Sequence, residues 1–492
     1  NNFTDGEYVE FANKLVLNSG FVFDYTNMLG EGRIKTEDLQ EMETAMQKAR
    51  DAVNEMRSSG TAYNHLSKDG TPEPVYFTRL PEIKNGNPNT PVSLQKLKDF
   101  GDYLRTNVDA VVFLGVGGSY LGNKVLFDIG AGPSWNSMGE KRRNGYPRIY
   151  FSGNNLDAGQ CEEIMNELRY WSVHAWPKKK RFKVMLVPIS KSGSTLETLA
   201  SFIYFYEACN KSVMFDTEVT AVTDRNPEAG SPLFALAQKH GWRCFDIKNG
   251  IGGRFSVLTD PGLVTAAAIG MNVEELLKGA GEMEEACRTD DVYANPALMN
   301  AALKYIASER YGCHIEVFMG YGERLGSLGQ WYVQLLAESL GKKHNRNGEM
   351  IYYGRTPVPA VGTTDMHAQT QLHQDGIRNK VVQFLQIKNM PGDIVLGMPF
   401  EEPAFKKYNG LNMSDALAMA LDSNAEALNS DRRFNARYVL PEMNAYHLGE
   451  LFYFLMLSVA YEGELANVDA FDQPGVEAYK KIMKAKFAER SN

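Results

Sequence analysis

Apolar positions recur along this chain in two rhythms. From about residue 95, short runs rich in β-branched residues at 111–114, 148–151, 184–189, 219–222 and 244–247 alternate with longer stretches of helical spacing. Such alternation predicts parallel strands whose sheet is covered by helices on both faces. After Asp291 the pattern resumes, with candidate strands at 315–319, 357–361, 381–387 and 437–440. The first 94 residues read differently. Phe11 and Leu15, then an apolar periodicity over 39–56, predict helices, and a polar stretch rich in Pro, Asn and Gly over 69–91 predicts a linker. The longest apolar run, 451–461, is bounded by Glu450 and Glu462, is too short to span a bilayer and reads as a buried helix. Residues 475–488 read as a final exposed helix. The expected division is an N-terminal helical segment and linker over 1–94, α/β domains over 95–285 and 286–474, and a C-terminal helix over 475–492.

Composition narrows the class. With 492 residues, 43% hydrophobic and 23% charged, the chain is long enough for several domains with large cores. The five cysteines are widely spaced and form no CxxC pair, which argues against a disulfide framework or zinc site and favours a reducing compartment. The polar, acidic start at 1–8 is unlike a signal peptide, although the chain has no initiator Met. A formal net charge of −8 disfavours nonspecific binding to nucleic acid or anionic membrane. The one dense basic run, 178–183, precedes an apolar strand and reads as a solvated turn.

Parallel sheets hold ligands where strand ends feed into helix N-termini, so the chemistry is sought in those loops. After the run at 111–114 comes Gly115-Val116-Gly117-Gly118-Ser119-Tyr120-Leu121-Gly122. Its glycines allow close backbone approach and Ser119 offers a hydroxyl, but the third glycine of a dinucleotide fingerprint is missing. A tight turn without ligand is an equal reading. The run at 184–189 leads into Ser190-Lys191-Ser192-Gly193-Ser194-Thr195 and a helical stretch. Four hydroxyls and successive backbone N–H groups at a helix N-terminus suit a phosphate monoester. Ser194 with Glu197 also has the spacing of a capping box, so Glu197 is either structural or part of the site.

At this loop the sequence resembles the phosphosugar-binding loop of sugar isomerase domains. Gly253-Arg254-Phe255-Ser256, Glu338-Ser339-x-Gly341-Lys342 and Gly475-Val476-Glu477-x-x-Lys480 narrow the resemblance to phosphoglucose isomerases, over about residues 95–490 and in the family's order. The resemblance implies two sugar-isomerase α-β-α sandwich domains, a cytoplasmic homodimer with shared active sites, no cofactor and no metal. It also implies interconversion of glucose 6-phosphate and fructose 6-phosphate in glycolysis and gluconeogenesis. By motif position Glu338 would move a proton between C2 and C1 through a cis-enediol(ate). His367 and Lys480 would open the ring, Arg254 would steady the intermediate, and Gln334, Gly118, Ser119 and Ser190, Lys191, Ser192, Ser194, Thr195 and Glu197 would bind the sugar phosphate. Many family members carry Asn-Gly-Gln before the histidine, whereas this chain has Thr363-Thr364-Asp365-Met366-His367.

The residue types suit that chemistry. Removing a C–H proton beside a carbonyl needs a well-placed carboxylate, worth about 10²–10⁴-fold. A fixed guanidinium then stabilises the enediolate, and a His/Lys pair can protonate the ring oxygen near neutral pH. Each residue also has an ordinary reading: Glu338 as an exposed helix charge, Arg254 as a loop cap or a partner of Asp260, His367 and His373 as plain hydrogen-bonding residues, Lys480 as a solvated lysine. A metal-dependent sugar isomerase would need clustered ligands, and the eight histidines form neither HxH nor HExxH. A non-catalytic sugar-phosphate sensor is the remaining alternative.

Overall fold

A computed structural model describes residues 13–178 and 181–490. Phe11, Lys179 and Lys180, on which parts of the sequence reading fell, lie outside them.

The strands, in chain order, are β1 (Lys14–Val16), β2 (Val22–Asp24), β3 (Ala110–Leu114), β4 (Arg148–Ser152), β5 (Phe182–Pro188), β6 (Phe215–Thr223), β7 (Arg243–Asp246) and β8 (Ile315–Tyr321). They continue with β9 (Lys342–His344), β10 (Met350–Tyr353), β11 (Thr356–Gly362), β12 (Lys380–Asn389) and β13 (Asn435–Glu442). One sheet has the order β4-β3-β5-β6-β7 and is parallel throughout. The second has the order β1-β2-β13-β12-β8-β11, with β13, β12, β8 and β11 mutually parallel. All nine strand runs read from the sequence are present, and the class is the expected α/β with helices on the sheets.

The N-terminal reading needs a correction. Leu15 lies not in a helix but in β1, and β2 pairs antiparallel with β13, so the amino-terminal segment extends the second sheet. Leu15 and Leu17 pack on the core while Val16 between them is exposed, a strand's alternation too short to stand out from the sequence. The helix expected over 39–56 is present as Thr36–Ser59.

The helix Ala445–Leu465 is the hub of the molecule, its residues from His447 to Gly463 all buried. It crosses the helix Val273–Ala286 so closely that a Cβ on Gly279 would fall 1.7 Å from the Tyr446 carbonyl oxygen, and one on Gly449 would fall 1.9 Å from that of Leu276. Its Glu462 accepts Arg355 Nη2 at 2.7 Å, and Arg355 Nη1 reaches Glu316 on β8, also at 2.7 Å. Burial alone would raise the Glu316 carboxyl, yet Lys304 and Arg355 hold it down at about 2. A buried ionic network thus fixes the hub helix to the second sheet.

Candidate active site

The helix Gly326–Leu340 follows β8 and buries Leu328, Trp331, Leu335 and Leu336. Gln334 and Glu338 stand one turn apart on its other face, so both side chains reach the same space. That space is a cavity of about 340 Å³. Its wall includes Lys191, Arg254, Gln334, Glu338 and Lys480, five residues expected from the sequence and drawn from four distant segments.

Arg254 organises it. Its guanidinium has five N–H donors, and all five are engaged. Nε donates to Ser339 Oγ at 2.8 Å, and Nη1 to Glu338 Oε2 at 3.2 Å and Gln473 Oε1 at 3.0 Å. Nη2 donates to the Ala470 and Asp472 carbonyl oxygens at 2.6 and 3.0 Å. Burial presses its pKa below the ordinary guanidinium value, against the pull of Glu338 and Asp472. Asp260, the alternative partner considered from the sequence, is not among its partners.

Glu338 is held by one oxygen. Oε2 accepts from Arg254 and, at 3.1 Å, from Gln334 Nε2, whereas Oε1 has no hydrogen-bond donor among the described residues. One oxygen is therefore clamped and the other is available for a proton. The side chain is 24% exposed, so the carboxylate is partly desolvated yet open to the cavity.

The glycine-rich turn after β3 backs this arrangement. Gly118 packs against Gly253, where a Cβ on Gly118 would lie 2.2 Å from the Gly253 carbonyl carbon. Gly117 lies beside Gln334, an added Cβ falling 3.3 Å from its Nε2. Gly118 and Ser119 form the 3₁₀ turn Gly117–Ser119, which supports the Arg254 segment rather than appearing in the cavity wall itself.

The 190–195 loop follows β5 and precedes the helix Leu196–Lys211. Gly193 makes its turn at φ +67°, a conformation glycine adopts at little cost. The hydroxyls link to one another: Ser190 Oγ to Thr195 Oγ1 at 2.8 Å and Ser194 Oγ to Ser192 Oγ at 3.1 Å. The capping box that the Ser194 and Glu197 spacing allowed does not form. Thr195, not Ser194, is the N-cap, and no side chain caps it. Ser194 is turned toward Ser192 instead, and Glu197 lies within the first helical turn. The helix thus retains its unsatisfied N–H groups, which is what an anion needs.

The structure does not bring His367 to the others. It follows β11 on an exposed turn after Thr364–Met366, and its side chain has no hydrogen bond or ion pair among the described residues. Lys480 reaches the cavity mouth from the helix Glu477–Arg490, 54% exposed and 3.8 Å from Glu477.

Sequence reasoning missed a second set. Lys342 Nζ donates to the Glu338 carbonyl at 2.8 Å and to the Asp472 carbonyl at 2.7 Å, tying the helix bearing Glu338 to the strap that leads to Lys480. Burial, then repulsion by Arg254, presses its pKa down to about 8, against the attraction of Asp472. His65 and Glu73 also line the cavity, and His65 Nδ1 lies 2.8 Å from Asp469 Oδ2, so the polar stretch read as a linker forms part of the wall. The signal for Lys342 was its place in the Glu338-Ser339-x-Gly341-Lys342 motif. His65 had none, because its partner is some four hundred residues away.

Among the described residues no group of three or more His, Cys, Asp or Glu side chains is arranged to hold a metal ion, and no helix is long and apolar enough to cross a membrane.

Comparison with known proteins bears on this arrangement. The glucose-6-phosphate isomerase of Carboxydothermus hydrogenoformans is 39% identical over 373 residues, 75% of this chain and 77% of that one. The glucose-6-phosphate isomerase of Methanocaldococcus jannaschii is 29% identical over 464 residues, 94% of this chain and 98% of that one. Among solved structures, a hypothetical protein of Thermus thermophilus superposes with a TM-score of 0.76 at 28% identity, covering 95% of this chain and 100% of that one. A glucose-6-phosphate isomerase from Chlamydia trachomatis shares the fold, with a TM-score of 0.77 at 23% identity over 98% of this chain and 90% of its own. The model of the phosphoglucose isomerase family matches residues 84–491, which takes in the Arg254, Glu338 and Lys480 segments together, and the chain belongs to that family.

Proposed function

We propose that the chain is a glucose-6-phosphate isomerase, interconverting the aldose and ketose phosphates by proton transfer between side chains and sugar. The observation that carries this reading is the Glu338 carboxylate, clamped through Oε2 by Arg254 and Gln334 with Oε1 free toward a cavity that Lys191 and Lys480 also line. The phosphate sits on the 190–195 loop, where Ser190, Ser192, Ser194, Thr195 and the uncapped helix end supply donors and Lys191 supplies charge. Glu197 contributes through the first helical turn. Anchoring there uses a part of the substrate that does not react to hold C1 and C2 over Glu338.

Lys480, with His367, passes a proton to the ring oxygen to open the sugar. Glu338 Oε1 takes the C2 proton and returns it to C1. Between these events the cis-enediolate carries negative charge on oxygen, which Arg254 Nη1 meets by exchanging a side-chain acceptor for the substrate oxygen. Gly118 and Ser119 hold the Arg254 segment at the right depth. His367 lies away from its own chain's cavity, which supports a homodimer in which each copy lends this histidine to its partner's site. The same reading places the enzyme in the cytoplasm, in glycolysis and gluconeogenesis, with α/β domains over about 95–285 and 286–474.

A coupled assay tests it. Purified chain given glucose 6-phosphate should form fructose 6-phosphate catalytically; binding without turnover would make it a sugar-phosphate sensor instead.

A further inference from the structure

A second cavity, of about 150 Å³, shares no wall residue with the first. It opens at the amino ends of β8, β12 and β13, where Cys313 precedes β8, Lys380 starts β12 and Phe434 precedes β13. Its polar wall is almost wholly basic: His373, Arg378, Lys380, Arg432 and Arg433.

The charges there do not balance. Lys380 is only 8% exposed and has one hydrogen-bond acceptor, the Ile377 carbonyl at 2.9 Å. No carboxylate pairs with it among the described residues. Asp431 is shared between Arg378 Nη2 and Arg433 Nε, each at 2.8 Å. Glu31 pairs with Arg432 at 3.0 Å, but out at the surface, where the two side chains are 78% and 57% exposed. With Arg432 and Glu31 balancing each other, the wall sets Lys380, Arg378 and Arg433 against Asp431 among the described residues.

His373 offsets none of that charge. It is 5% exposed, its Nε2 lies 3.1 Å from Gln369 Oε1, and its Nδ1 is buried with no partner among the described residues. Burial and the positive charge of Lys380 and Arg433 press its pKa down to about 4. A buried ammonium with two unused N–H donors beside a guanidinium is costly unless something negative stands against it.

We infer that this cavity is a second oxyanion site, taking a phosphate group on Lys380, Arg378 and Arg433 independently of the catalytic cavity. Phosphate suits it better than a carboxylate for two reasons. Its double charge matches the surplus of Lys380, Arg378 and Arg433 over Asp431, and its oxygens can serve an ammonium and two guanidinium groups at once. The source is either free inorganic phosphate or the phosphate of a monoester.

Equilibrium dialysis of the full chain against radiolabelled inorganic phosphate tests the inference by stoichiometry. The number bound per chain should fall by one in Lys380→Met, and by the same one, not two, in the double variant with Arg378→Met. Ser192→Ala with Thr195→Ala should leave that phosphate in place. Arg378 is 56% exposed, so Arg378→Met alone should fold normally, keep isomerase activity, and weaken the same phosphate by about tenfold or more. Excess glucose 6-phosphate would then displace it if monoesters enter and leave it if only free phosphate does; either result is consistent with the site. Unchanged stoichiometry and affinity in both Lys380→Met and Arg378→Met would overturn it.

Discussion

Arg254 and Glu338, 84 residues apart in sequence, meet at 3.2 Å through Nη1 and Oε2. The contact joins the segment after β7 to the helix after β8, and so joins the two sheets at the cavity. Because Arg254 also holds the Ala470 and Asp472 carbonyls, it fixes the strap that carries Lys480. A lysine in its place would keep the charge but lose the planar fork. Arg254→Lys should therefore lower kcat by about 10²–10³-fold and also lower the melting temperature. Loss of kcat with unchanged stability would mean that the strap does not depend on it.

The 190–195 loop makes a different prediction. Ser192→Ala with Thr195→Ala should raise KM for sugar phosphates, by about 1–3 kcal/mol in binding, with kcat little changed. Competitive inhibition by inorganic phosphate should weaken in parallel. If neither moves, the loop only starts a helix.

Lys342 predicts a pH dependence. The unfolded chain keeps this proton up to about 10.5, whereas the folded chain releases it from about 8. Between those values unfolding takes up a proton, so this residue makes stability rise with pH across the window. Below about 8 both states are charged, and burying the ammonium costs about 3 kcal/mol. Lys342→Met should flatten that rise in denaturant titrations and lower kcat at all pH values by loosening the strap. An unchanged slope between pH 8 and 10.5 would remove Lys342 from the account.

The central strands β3, β5, β8 and β12 were legible because each is an apolar run buried on both faces, and the helix bearing Glu338 because its apolar stripe repeats at helical spacing. β1 and β2 were not, since three-residue strands leave little periodicity and the pairing of β2 with β13 is remote in sequence. In the site, Arg254, Glu338 and Lys480 were reached through motifs. Lys342 lay within a motif yet drew no notice, because its role depends on Asp472, 130 residues away. Whether Ser194 caps the helix was not legible, because local spacing cannot show that its hydroxyl turns to Ser192.

His367 allows a test of shared sites. His367→Ala and Lys480→Ala chains, inactive alone, should recover about a quarter of wild-type activity when unfolded and refolded together, because about half the dimers are mixed and each mixed dimer has one intact site. An inactive mixture with heterodimers confirmed by mass would place His367 in its own subunit's site or outside catalysis.

In the proposed reaction Glu338 Oε1 carries the proton between C2 and C1. The most direct measurement is exchange of the substrate's C2 proton with deuterated solvent, followed by NMR, in wild type and in Glu338→Gln. Wild type should exchange during turnover. Glu338→Gln should bind sugar phosphate with nearly unchanged affinity and show no exchange above the uncatalysed rate. Exchange persisting in Glu338→Gln would mean that another group moves this proton.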